Sequence, residues 1–208
     1  MNIQNEQAIR RFQEILRVKT ISRKDDSTDW AEFDRFLPTL KEQFPQVFEK
    51  LECTIINDYG IVLCWKGKNA GLQPVILMAH HDVVPVEGQD WHYPPFGAEI
   101  HDGNIYARGT VDTKCIITAV FEAMDALLSE GFTPDRDLYF CTSNCEETSG
   151  DTTPKMVQWF AEQGIEPWFV LDEGGAITEG MIPGVKAKSA MVAVHEKSRH
   201  VYRCTASI

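Results

Sequence analysis

The chain has 208 residues, 43% of them hydrophobic and 25% charged, which is enough apolar content for a packed core. Its 31 acidic and 20 basic residues leave a formal net charge of -11. That balance argues against nucleic acid or an anionic membrane as the main partner, because both recruit basic surfaces.

In chain order, Ile9, Phe12, Ile15 and Leu16 recur on one face of residues 5–18, an amphipathic helix. The polar stretch 22–30 ends in N-cap candidates. Trp30, Phe33, Leu37, Leu40 and Phe44 then repeat at helical spacing, with Pro38 predicting a kink or an early first turn. The period changes at CTIIN (53–57), IVLCWKG (61–67) and PVILMAH (74–80), which read as three strands, the first two a hairpin split by DYG. PVILMAH is apolar on both faces, as in a central strand covered on both sides.

Residues 83–104 read as a long loop, followed by a short strand, NIYARG. The run 112–129 is a buried helix closed by Gly131, and DLYFCTSN (137–144) is a strand. Residues 152–164 form a helix with Pro154 in its first turn, and PWFVLDEGG (167–175) is a strand entering a loop. SAMVAVHEK and HVYRCTASI read as two final strands. Alternating strands and helices predict an α/β fold, a three-layer α/β/α sandwich around a mixed, largely parallel sheet.

Cys53, Cys64, Cys115, Cys141, Cys145 and Cys204 include no CxxC pair, the pattern of reduced, buried thiols. The N-terminus has no apolar signal core, and no run reaches the ~20 residues of a membrane span. The expectation is a cytoplasmic chain without a membrane partner.

Ligands of open α/β sheets bind beyond the carboxyl ends of strands. His80 and Asp82 follow one predicted strand, Asp112 another, Glu146 and Glu147 a third, and Asp172 and Glu173 a fourth. One imidazole with several carboxylates suits zinc, cobalt or manganese. Each position also has a plain structural reading, as a hydrogen-bonded strand-end histidine, a solvated turn or a cap. The spacing of His80 and Asp82 lets the aspartate orient the imidazole, with His81 facing away as a structural or rim residue.

These segments resemble the M20 family of metallopeptidases and aminoacylases, in its carboxypeptidase S-like and N-acyl-amino-acid hydrolase branch. HHDVVP, WHYPPFGAEIHDGNIYARGTVDTK, CEET and LDEGG stand in the family's order. The resemblance implies a zinc-exopeptidase-like fold and a two-metal zinc hydrolase, with cobalt or manganese as substitutes. It implies His80, Asp112, Glu147 and Glu173 as metal ligands, with Asp172 an alternative to Glu173. Asp82 would orient His80 and Glu146 would be the general base. The substrate would be a small peptide or an N-acyl amino acid, and a homodimer is possible. A cis peptide after Asp112 is also implied.

The family's G-H segment and its last histidine ligand are absent, and Cys145 stands where an acid is frequent. The expectation is that residues 1–197 are the N-terminal part of an incomplete catalytic domain. Residues 198–208 would begin a lid or dimerisation domain, and turnover by this chain would be weak or nil. A non-catalytic binding remnant and a mononuclear metallohydrolase are the competing readings.

Overall fold

The structure, a computed structural model, describes residues 3–25, 27–174 and 177–190. It divides into two units, Met1–Asp172 and Glu173–Ile208.

The first unit is built on a five-stranded sheet. Its strands are β1 (Glu52–Ile56), β2 (Gly60–Trp65), β3 (Val75–His80), β6 (Leu138–Ser143) and β7 (Phe169–Leu171). Their order is β1-β2-β6-β3-β7. β3 pairs parallel with both β6 and β7, whereas β2 runs antiparallel to β1 and β6. One reversed strand therefore makes the sheet mixed, and the others share a direction.

Alternation along the strands sends side chains to two cores. Ile61, Leu63, Trp65, Ala79 and Phe140 face a large cluster with Ile15 of α1 (Ile3–Arg17), Phe36 and Leu40 of α2 (Trp30–Gln43), Val47 of α3 (Pro45–Lys50) and Ile117 and Phe121 of α4 (Lys114–Ser129). Val62, Cys64, Ile76, Tyr139 and Cys141 face Met156 and Phe160 of α5 (Thr152–Glu162). Helices thus cover both faces, giving the expected three layers. Between α5 and the strands β3 and β7 an apolar cleft of about 360 Å³ remains, lined by Met78, Val157 and Val170 among others.

Local chemistry explains the element ends. The Asp29 side chain accepts the Ala31 N–H at the start of α2. Gly131, at φ 71°, donates its N–H to Leu128 O after α4.

Several expectations need correction. α2 begins two turns before Pro38 and continues through it to Gln43, so Pro38 does not start the helix. The bond that Pro38 cannot donate would reach the carbonyl of Asp34, a solvent-exposed residue, which limits the cost. α3 was not expected; Pro45 opens it. The long loop is interrupted by β4 (Glu99–His101), which pairs with β5 (Asn104–Tyr106) across Asp102–Gly103. Both turn residues have positive φ, 49° and 78°, the signature of an Asp-Gly hairpin. β5 therefore belongs to a separate two-stranded ribbon, and Asp112 does not follow a strand of the main sheet.

In the second unit, Thr178 and Ser189 form an antiparallel bridge through paired backbone hydrogen bonds of 3.0 and 2.8 Å. The final strands expected over 189–197 and 200–208, apart from Ser189 and Ala190, and the boundary expected at residue 197 lie outside the described residues. Among the described residues no helix is long and apolar enough to cross a membrane.

Candidate metal centre

β3 and β6 are parallel neighbours, with His80 opposite Ser143, so their carboxyl ends open at one edge of the sheet. β3 delivers His80, His81 and Asp82 there. The turn after β6 delivers Glu146 and Glu147, and the turn before α4 delivers Asp112.

His80 is 2% exposed. Its Nδ1 lies 3.0 Å from the Asp82 carbonyl oxygen and 3.4 Å from Asp82 Oδ1. Both are acceptors, so Nδ1 carries the proton. A neutral ring then presents the Nε2 lone pair outward, where Asp112 Oδ1 stands at 2.8 Å and Glu146 Oε2 at 3.9 Å. Two electron-rich atoms this close require a proton or a cation between them. Imidazole nitrogen and carboxylate oxygen are both ordinary zinc donors, so the residues fit a divalent metal. The Asp112–Thr113 peptide is cis.

Asp82 is fully buried and acts as a hub. Glu146 N–H donates to its Oδ1 and Glu147 N–H to its Oδ2, both at 3.1 Å, and the Ser22 hydroxyl donates to Oδ2 at 2.6 Å. Burial works to raise the Asp82 carboxyl, but hydrogen bonds from His80 and Ser22 outweigh it and hold the group below the usual carboxylate range. Burial pushes the Glu147 carboxyl up to about 7, and the charge of nearby Asp112 adds to the effect.

His81 points the other way. It is 1% exposed, stacks on Phe36 at 4.3 Å, and its Nδ1 lies 3.0 Å from Thr142 Oγ1. It is a core residue. Asp172 closes the first unit and Glu173 opens the second; both are exposed.

Ser22 and Lys114 were missed as contributors. Ser22 sits in a polar stretch with no motif of its own. Lys114 has no exposed surface, and its ammonium donates to the Ile15 and Val18 carbonyls at 3.3 and 2.6 Å.

Solved structures share this fold. Human carnosine dipeptidase 1 superposes with a TM-score of 0.71 at 16% identity, covering 85% of this chain and 40% of that one. An M20 family metallo-carboxypeptidase, Sso-CP2 of Sulfolobus solfataricus, gives 0.66 at 22% identity, covering 85% and 38%. The sequence narrows the class further. The model of peptidase family M20/M25/M40 matches residues 76–204, and the chain belongs to that family. Probable carboxypeptidase S-like 1 of Dictyostelium discoideum is 36% identical over 202 residues, covering 95% of this chain and 41% of that protein. The N-fatty-acyl-amino acid synthase/hydrolase PM20D1 of Homo sapiens is 34% identical over 178 residues, covering 85% and 35%. The chain thus spans about two fifths of the length of the curated relatives it matches.

Proposed function

We propose that this chain carries metal-holding and proton-handling groups of a zinc-dependent amidohydrolase acting on a small peptide or an N-acyl amino acid. The observation that carries the reading is the His80–Asp112 contact of 2.8 Å, made on the ring nitrogen that faces away from Asp82. The relatives' names, carboxypeptidase S-like and N-fatty-acyl-amino acid hydrolase, supply the substrate class.

In this reading His80, Asp112 and Glu147 hold metal, with Glu173 as a further ligand. Bound zinc would polarise the scissile carbonyl and make water more acidic. Glu146 is the general base: its carboxylate is exposed, and its backbone is pinned to Asp82, so it can accept a proton from water and pass it to the leaving amine. Asp82 sets the tautomer and the orientation of His80.

The test is metal analysis of the purified chain after zinc loading and removal of free ion, beside hydrolysis of dipeptides and N-acyl amino acids. Zinc retained by the chain and lost in His80→Ala is the expected result. No retained zinc would sink the reading. Zinc-dependent release of amino acid that disappears in Glu146→Gln would extend it to this chain's own turnover.

A further inference from the structure

The segment Val18–Ser22 carries none of the proposed ligands, yet it is laced to the site. It lies beside His81–Val83: Val83 N–H donates to Thr20 O at 2.9 Å, Ser22 N–H donates to Val83 O at 3.2 Å, and the Thr20 hydroxyl donates to the His81 carbonyl. Ser22 itself is 6% exposed, and its hydroxyl meets Asp82 Oδ2 at 2.6 Å. On the far side, the Lys114 ammonium ties the same segment down at Val18 O, two residues after Asp112. Its Nζ thus reaches carbonyls at the carboxyl end of α1 that lack partners within the helix.

We propose that Ser22 is a positioning residue of the metal centre, acting through Asp82, with Lys114 as the anchor of the segment that presents it. The inference rests on the metal reading above. Its physical basis is the number of donors that define the Asp82 carboxylate plane. Glu146 N–H holds Oδ1, while Glu147 N–H and the Ser22 hydroxyl hold Oδ2. Without the hydroxyl, Oδ2 keeps only the Glu147 contact among these, and the carboxylate can rock about its bond to Cβ. Rocking moves what depends on the plane: the Glu146 and Glu147 backbone and the oxygen 3.4 Å from His80 Nδ1. Ser22 contributes no charge, so its effect is one of aim.

The experiment uses the whole 208-residue chain as wild type, Ser22→Ala and Ser22→Thr, with Co²⁺ as the probe. Co²⁺ affinity and visible absorption are measured, together with amide hydrogen exchange in the metal-free state. Removing a hydrogen-bond partner of a metal ligand weakens binding about 10- to 100-fold, and Ser22 stands one step further out, behind Asp82. Ser22→Ala is expected at the lower end of that range, with an altered Co²⁺ spectrum and faster exchange at Glu146 and Glu147 but unchanged protection in β2 and β6. Ser22→Thr, which keeps the hydroxyl, restores all three. Wild-type Co²⁺ affinity in Ser22→Ala overturns the inference alone. Equal weakness in Ser22→Thr and Ser22→Ala also overturns it, because packing and not the hydroxyl would then be responsible. A wild-type chain that takes up no Co²⁺ overturns the metal reading and this inference with it.

Discussion

Asp112 Oδ1 approaches His80 Nε2 to 2.8 Å, on the side of the imidazole opposite Asp82. The contact joins the end of β3 to the turn before α4, and the Asp112 side chain is 61% exposed. An exposed carboxylate contributes little to folding, and in the proposed reading Asp112 serves as a metal ligand. Asp112→Asn is expected to lower Co²⁺ or Zn²⁺ affinity by about 100-fold or more, beyond the range for groups one step removed from the metal. Folding stability should stay within about 0.5 kcal/mol of wild type, as at other surface positions. Calorimetric titration and thermal melting read the two effects separately. Unchanged affinity would remove Asp112 from the ligand set.

Asp82 should behave in the opposite way. Its carboxylate accepts two backbone N–H groups and a hydroxyl with no access to solvent. Asp82→Asn puts an NH₂ against one of those donors and removes the charge from the rest. A buried donor left unsatisfied costs about 1–3 kcal/mol, and hydrogen bonds to charged groups contribute about 1.5–3. A loss of about 3 kcal/mol is expected in urea unfolding of the metal-free chain. A loss below about 1 kcal/mol would show that the hub is not structurally required.

How much of this was legible depended on how far apart the partners lie in sequence. The strands PVILMAH and DLYFCTSN announce themselves by composition, and their parallel pairing places His80 beside the Glu146–Glu147 turn. Residue spacing reached only the strand ends; the family resemblance supplied the individual roles. The Asp102–Gly103 hairpin carried a turn signal and its second strand was expected, but β4, three residues long, is too short for alternation to stand out. The strand before Asp112 is where it was expected, but a run of three residues does not show which sheet it joins. Ser22 could not be read at all: it meets Asp82 across 60 positions, and a lone serine in a polar stretch looks like any loop residue.

His81 predicts an acid limit to stability. Burial pushes its imidazole from an ordinary 6.5 down to about 3, so it stays neutral in the folded chain. Below about pH 6.5 the unfolded chain takes up a proton that the folded chain refuses. Stability is therefore full above that value and declines as pH falls toward about 3, by up to about 1.4 kcal/mol per pH unit. His81→Phe keeps an aromatic ring against Phe36 and removes the titration. Between pH 7 and 5 the wild type is expected to lose about 2 kcal/mol more than this variant in urea unfolding. Equal losses would show that the ring is hydrated or protonated when folded.

Glu147 predicts how metal binding depends on pH. Burial and the Asp112 charge raise its carboxyl from an ordinary 4.5 to about 7, so the metal-free folded chain holds a proton there in mildly acidic solution. For a raised carboxyl the sign is clear. Its contribution to stability is fully present below about 4.5 and is lost as pH rises through about 7, where burial of the carboxylate has to be borne. A metal reverses the preference, because it needs the carboxylate. Uptake of Co²⁺ below about pH 7 should release about one proton from this group, and affinity should fall by up to about tenfold per pH unit from this group alone. Glu147→Gln cannot release that proton. It should bind Co²⁺ more weakly at pH 8, with a shallower pH dependence, and should melt higher than the metal-free wild type at that pH. Titrations in weakly buffered solution between pH 5.5 and 8 compare the two chains. Parallel pH profiles would mean that Glu147 does not ligate the metal.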